Sequence, residues 1–152
     1  MNQITTPKLL PKTQPILIVE DSPDDFEATK RAFSKANLRN QIMHCDSGES
    51  ALAYLRADHN EKPGIILLDL NMPGLDGRKT LEIIKKTESL KKIPIVVLTT
   101  STDERDVKAC YELGANTYIQ KPVDFDGLIA AIRRLKEYWF EIAVLPKGNG
   151  DV

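Results

Sequence analysis

Four segments of this chain, three of them wholly apolar, end on residues that can do chemistry with phosphate. Asp69 follows Ile65-Ile66-Leu67-Leu68, and the acidic pair Glu20-Asp21 follows Ile16-Leu17-Ile18-Val19. Thr99 follows Ile95-Val96-Val97-Leu98, and Lys121 follows Thr117-Tyr118-Ile119-Gln120. A carboxylate can attack phosphorus and carry the group as an aspartyl phosphate, and Asp69 is the candidate nucleophile. Three carboxylates without a sulfur or nitrogen ligand describe a hard-cation site. A small set completed by waters and a phosphate suits Mg²⁺ better than Ca²⁺. The metal would bridge Asp69 and the incoming group and neutralise charge as it develops. Lys121 would add a fixed positive charge, and Thr99 a hydroxyl for one phosphoryl oxygen. Taken singly, each has an ordinary reading: Asp69 can cap a turn and Lys121 can face solvent.

The elements that must hold these residues follow from the pattern around them. Residues 65–68 have no polar face, the mark of a strand buried on both sides of a parallel sheet. Asn71, Pro73, Gly74 and Gly77 stop that strand at once and keep Asp69 at its carboxyl end. Residues 15–19 form a second such strand. Ser22-Pro23-Asp24-Asp25 then starts a helix: Ser caps, Pro suits the first position and acids suit the positive end of the dipole. Phe26, Thr29, Lys30 and Phe33 carry it to about Ala36, where Asn37 ends it. Asp24 and Asp25 are thereby explained by the helix start, whereas Glu20 and Asp21 precede the cap.

The same alternation continues. Residues 41–45 read as a strand, Asp46-Ser47-Gly48-Glu49 opens a helix through Leu55, and Leu81, Ile83 and Ile84 mark a helix ending near Thr87. Residues 95–98 are a strand, Val107, Cys110, Tyr111 and Leu113 a helix closed by Gly114, and 117–120 the fifth strand. Asp124 to about Ala143 makes the last helix. Five strands alternating with five helices require right-handed crossovers and a doubly wound α/β fold, a parallel sheet with helices on both faces. All carboxyl ends then lie on one rim, where such sheets bind ligands, so Glu20, Asp21, Asp69, Thr99 and Lys121 converge there.

Composition narrows the function classes. A chain of 152 residues, 41% hydrophobic, can build one core of ordinary size. A net charge of -1 with acids and bases interspersed leaves no basic footprint for nucleic acid, and no DNA-binding domain is expected. Lys85-Lys86, Lys91-Lys92 and Arg133-Arg134 read as solvated helix faces. Cys45 and Cys110 read as core residues of a protein from a reducing compartment. His44 and His59 have no metal-ligand spacing and read as structural. No apolar run approaches the ~20 residues of a membrane span, and the polar start is no signal peptide, so the cytoplasm is expected. The expected organisation is a flexible arm at 1–14, one domain at 15–136, and a helix extension and tail at 137–152.

With these residues in place, a resemblance is evident. Ile18-Val19-Glu20-Asp21-Ser22, Leu67-Leu68-Asp69-Leu70-Asn71-Met72-Pro73-Gly74-Leu75-Asp76-Gly77, Val97-Leu98-Thr99-Thr100-Ser101, Gly114-Ala115-Asn116-Thr117-Tyr118 and Lys121-Pro122 resemble the receiver domain of two-component response regulators. The resemblance covers about 15–136. It implies a flavodoxin-like (βα)5 fold with strand order 2-1-3-4-5. It implies that a histidine kinase phosphorylates Asp69, that Asp21, Asp69 and the Asn71 carbonyl hold Mg²⁺, and that Glu20 acts through water. Thr99 and Tyr118 match the family's switch pair, a hydroxyl that moves toward the phosphoryl group and a ring that turns inward behind it. Two departures are visible: Glu20 stands where aspartate is more usual, and Thr100 where a smaller residue is common, which narrows access to the phosphoryl site. The stretch 135–146, with Glu137-Tyr138-Trp139-Phe140-Glu141 and Val144-Leu145-Pro146, and the run 94–101 are similar to small regulators that partner phytochrome photoreceptor kinases.

The leading expectation is a stand-alone receiver that signals through protein contacts. A Mg²⁺-dependent phosphatase of the haloacid dehalogenase type also uses an aspartyl phosphate, but it needs a second acid two residues after the nucleophile, where this chain has Asn71. A phosphorylation-independent adaptor is a third reading, against which the intact Asp69, Asp21 and Lys121 set argues. Leu128, Ile132, Leu135, Trp139 and Ile142 form one apolar stripe along a helix of about twenty residues, roughly 30 Å long. Trp139 and Ile142, flanked by Tyr138 and Phe140, are expected to extend past the sheet as a homodimer seam. The alternative is a tail that folds back on its own domain.

Overall fold

The computed structural model describes residues 14–142, so nearly all of the expected arm and the tail with Val144-Leu145-Pro146 lie outside the described residues, as do the side chains of Phe140, Glu141 and Ile142. Within it every apolar run becomes a strand. β1 (Ile16–Val19), β2 (Ile42–Cys45), β3 (Ile65–Leu68), β4 (Ile95–Thr99) and β5 (Thr117–Gln120) form one parallel sheet in the order β2-β1-β3-β4-β5. Between them run α1 (Pro23–Lys35), α2 (Gly48–Arg56), α3 (Gly77–Lys86) and α4 (Glu104–Leu113), and α5 (Phe125–Lys136) follows β5. This is the doubly wound, flavodoxin-like order expected.

The uninterrupted apolar runs are explained by burial on two faces. Successive strand residues point to opposite sides, so Leu17, Val19, Ile66, Leu68 and Val97 pack with Leu55 of α2, Leu81 and Ile84 of α3 and Cys110 of α4. Ile16, Ile18, Ile65, Leu67 and Val96 face the other way, onto Phe33 of α1 and Leu128, Ile132 and Leu135 of α5. Each such aliphatic side chain contributes about 1.5–3 kcal/mol by leaving water. Both cysteines are buried free thiols.

The helix ends follow their signals. Ser22 caps α1, its hydroxyl accepting from the Asp25 amide at 3.2 Å, and Asn37 leaves the helix with a φ of 63°. Gly114 ends α4 at φ 109°, a left-handed conformation that suits glycine. No helix among the described residues is long and apolar enough to cross a membrane.

Three expectations need correction. The last helix is α-helical only to Lys136, and Glu137–Ile142 continues as a π-helical turn. Trp139 stays on the stripe with Leu128, Ile132 and Leu135, but it is half-buried against the α1 and α5 core where projection past the sheet was expected, and it is Tyr138 that stands 53% exposed. Lys85 is not a solvated charge. Its ammonium donates to the carbonyls of Lys91 and Ile93 and to Asn116 Oδ1 at 2.9–3.2 Å, closing the α3–β4 loop, and burial lowers its pKa. Lys30 lies on the exposed side of α1.

Candidate functional site

The site is built where β1, β3, β4 and β5 end. Asp69 leaves β3 still buried, and the chain turns immediately because Gly77, the first residue of α3, packs against it. A Cβ on Gly77 would strike the Asp69 carbonyl oxygen and lie 2.6 Å from Leu70 Cα, so only glycine lets α3 start this close to the strand. The Gly77 amide also donates to the Leu70 carbonyl at 3.0 Å. Asn71 reaches in two directions: its amide donates to Asp69 Oδ1 at 3.5 Å, and its side-chain nitrogen donates to Thr99 Oγ1 at 3.4 Å. Thr99 is wholly buried at the end of β4, while Thr100 beside it is exposed.

Glu20 and Asp21 come from the end of β1. One carboxylate oxygen from each of Glu20, Asp21 and Asp69 lies within 4.8 Å of the others. Such a group, hard oxygen donors only and part-buried, has the chemistry to hold a divalent cation. Asp69 is separated in sequence from the adjacent Glu20 and Asp21 by α1, β2 and α2, and the parallel pairing of β1 with β3 brings it beside them.

Lys121, from the end of β5, is 9% exposed. A buried ammonium needs counter-charge, and it has two: Glu20 Oε1 at 2.8 Å and Asp25 Oδ2 at 3.2 Å. Its backbone amide is tied to the Thr99 carbonyl. Burial alone would lower the Lys121 pKa, but the Glu20 hydrogen bond and the charges of Glu20, Asp69 and Asp25 outweigh it and raise it, which favours the ammonium form. Glu20 is 4% exposed, and burial raises its pKa; Lys121 opposes the shift, and the Asp69 charge adds to it. Its second oxygen accepts from the Ser22 amide at 3.2 Å. Behind it, His44 Nε2 lies 2.8 Å from the Glu20 carbonyl oxygen, and the imidazole stacks on Phe26 at 3.7 Å between centroids.

Tyr118 stands half-buried on β5, with its hydroxyl donating to the Ser101 carbonyl at 3.0 Å. Ser101 belongs to the loop between β4 and α4, and its hydroxyl donates to Asp106 Oδ2 at 2.7 Å. Asp106 Oδ1 in turn receives two bonds from the Arg78 guanidinium, at 2.7 and 3.0 Å. A polar chain thus runs from α3 through α4 to the ring of Tyr118.

The predicted residues Glu20, Asp21, Asp69, Asn71, Thr99 and Lys121 therefore meet at one rim, with Thr100 at its edge and Tyr118 behind. Leu135, Tyr138 and Trp139 lie apart from it, beside an apolar cavity of about 430 Å³ lined also by Thr117, Ile119, Ala131 and Arg134. Asp25 was missed, because a helix start accounts for an acid there. Nothing in the sequence sets it apart from Asp24, its neighbour in the same first turn.

Comparison with known proteins agrees with this geometry. The family model of the response regulator receiver domain matches residues 16–133. Response regulator Rcp1 of Synechocystis is 37% identical over 135 residues, covering 86% of this chain and 92% of Rcp1. The solved structure of the phosphorylated cyanobacterial phytochrome response regulator RcpA superposes with a TM-score of 0.83 at 35% identity, covering 89% of this chain and 99% of RcpA. The Mn²⁺-bound form of Rcp1 superposes with a TM-score of 0.81 at 36% identity, covering 88% and 99%. The acidic rim, the strand order and the length of the match all point one way, and this chain belongs to the response regulator receiver domain family.

Proposed function

We propose that this protein is a stand-alone phosphorylation switch, with Asp69 as phosphoacceptor, a histidine kinase as donor and protein contacts as output. The functional unit is 15–136, with 137–152 as its extension. The observation that carries the reading is the convergence of three carboxylates and a buried ammonium on the end of β3. Asp69 is held at the strand end by the Gly77 turn, so one carboxylate oxygen faces the acid cluster and can attack an incoming phosphorus. Glu20, Asp21, Asp69 and the Asn71 carbonyl would hold Mg²⁺, with Glu20 acting through water. Once bound, the cation supplies charge neutralisation on the transferring group. Lys121 offers a second positive charge, and the Thr99 hydroxyl, now bonded by Asn71, would turn to a phosphoryl oxygen. That movement vacates space behind Thr99, into which the Tyr118 ring would turn on leaving Ser101. Thr100 stands at the mouth and narrows access.

Similarity to Rcp1 and RcpA supports a phytochrome-type kinase as the input, and so a cytoplasmic light-signalling role. Loss of the phosphoryl group would occur by hydrolysis of the acyl phosphate within the same site, without turnover of a separate substrate. A haloacid dehalogenase type phosphatase is disfavoured by Asn71, whose amide cannot donate a proton to a leaving group. The last helix and its extension would form the homodimer seam.

Incubating the protein with acetyl phosphate and Mg²⁺, or with a phytochrome-type kinase and ATP, should add one phosphoryl group. Asp69→Asn should abolish labelling while its circular dichroism remains that of the wild type. Undiminished labelling of that variant would overturn the assignment.

A further inference from the structure

We infer that Asp25 is a positioning residue for Lys121, a second counter-ion that holds the ammonium at the rim when Glu20 is engaged elsewhere. The inference rests on the reading of Asp69 as phosphoacceptor and concerns what sets the strength of that site. An ammonium has three donors. Glu20 Oε1 takes one at 2.8 Å and Asp25 Oδ2 another at 3.2 Å, and Asp69 lies close enough for its charge to act on Lys121 as well. Glu20 belongs to the group that can hold a cation, together with Asp21 and Asp69, whereas Asp25 does not. A divalent ion therefore competes with Lys121 for Glu20 but leaves Asp25 free to keep it.

The place of Asp25 is fixed by the chain and not by chance contact. It is the third residue of α1, and its amide is already bonded to the capping hydroxyl of Ser22. Its carboxylate is thus carried on anchored backbone three residues past the cap, with its side chain 48% exposed and directed to Lys121. Asp25 thereby acts in opposite senses on a cation and on an anion at the site. By drawing Lys121 away from Glu20, Asp25 favours the cation. By holding Lys121 back from Asp69, it opposes an anionic phosphoryl group there.

The test is a double-mutant cycle on the full chain. Mg²⁺ binding is measured by calorimetry, and binding of beryllium fluoride at saturating Mg²⁺, a phosphoryl-shaped anion on a carboxylate, by ¹⁹F NMR. Asp25→Asn should weaken Mg²⁺ about threefold and tighten beryllium fluoride about threefold, the scale of a half-exposed ion pair. A fold defect would weaken both. In a Lys121→Met background the same substitution should change neither, and the Mg²⁺ arm stays readable there even if the anion no longer binds. Unchanged affinities in the Lys121 protein, or changes that persist without Lys121, would overturn the inference. If the wild type takes up no phosphoryl group or beryllium fluoride on Asp69, the phosphoacceptor reading falls and this inference with it. Uptake on Asp69 with no effect of Asp25→Asn overturns the inference alone.

Discussion

Lys121 Nζ donates to Glu20 Oε1 across 2.8 Å, joining two buried side chains 101 positions apart in sequence. Burial makes the pairing matter, since removing one partner of a buried ion pair costs several kcal/mol where nothing else compensates the charge. The pair also ranks the acids. Glu20 is already committed to Lys121 and to the Ser22 amide, whereas Asp21 is half-buried with a ligand oxygen facing Asp69.

Metal affinity should follow that ranking. Asp21→Ala is expected to lower Mg²⁺ affinity by about tenfold or more, and Glu20→Ala by less, because a contact through water is the weaker one. Calorimetric titration of both variants gives the order. A larger loss for Glu20→Ala would reverse the assignment of direct and water-mediated ligands.

Gly77 is the tightest steric constraint on the site. Gly77→Ala should destabilise the fold by about 3 kcal/mol, because the new methyl meets backbone atoms of Asp69 and Leu70 that cannot yield as a side chain tip can. Urea unfolding measures it. Stability within half a unit of wild type, about 0.5 kcal/mol, would show that the β3–α3 turn relaxes easily.

Stability should depend on pH through Asp106. The Ser101 hydroxyl and the Arg78 guanidinium hold its carboxyl below the ordinary 3.8. The folded state therefore binds fewer protons than the unfolded state in that range, so the stabilisation is complete above 3.8 and is lost as pH falls through the folded value. Asp106→Asn should cost about 1 kcal/mol at pH 7, discounted for partial exposure, and progressively less in acid. Urea melts of both proteins between pH 7 and pH 3 test this. A constant difference across that range would mean that the charge of Asp106 plays no part.

The homodimer seam is tested by hydrodynamics. Trp139→Ala with Phe140→Ala should shift the protein toward monomer in sedimentation equilibrium and leave phosphorylation of Asp69 intact. A wild type that stays monomeric at high concentration, phosphorylated or not, would refute the seam and leave the segment a partner-docking surface.

Much of this molecule is legible in its amino-acid sequence. Buried strands announce themselves by runs such as 65–68, helix starts by Ser22-Pro23 and helix ends by Asn37 and Gly114, because backbone hydrogen bonding and φ preferences act over a few residues. The convergence of Glu20, Asp21, Asp69, Thr99 and Lys121 was legible too, since alternating strands and helices force every strand end onto one rim.

What only the tertiary structure decided lies in contacts between side chains far apart in the chain. Asp25 looked like a helix-start acid and Lys85 a solvated cation until crossover packing placed the one against Lys121, 96 positions away, and the other over three carbonyl acceptors. The pairing of Arg78 with Asp106, the bond from Tyr118 to Ser101 and the packing of Trp139 on the α1 and α5 core have the same origin. Periodicity is a property of one segment, and it determines which face a residue takes. Which partner that face meets depends on the rotation and offset of two packed elements, which no single segment specifies and the α1, α3 and α5 interfaces set.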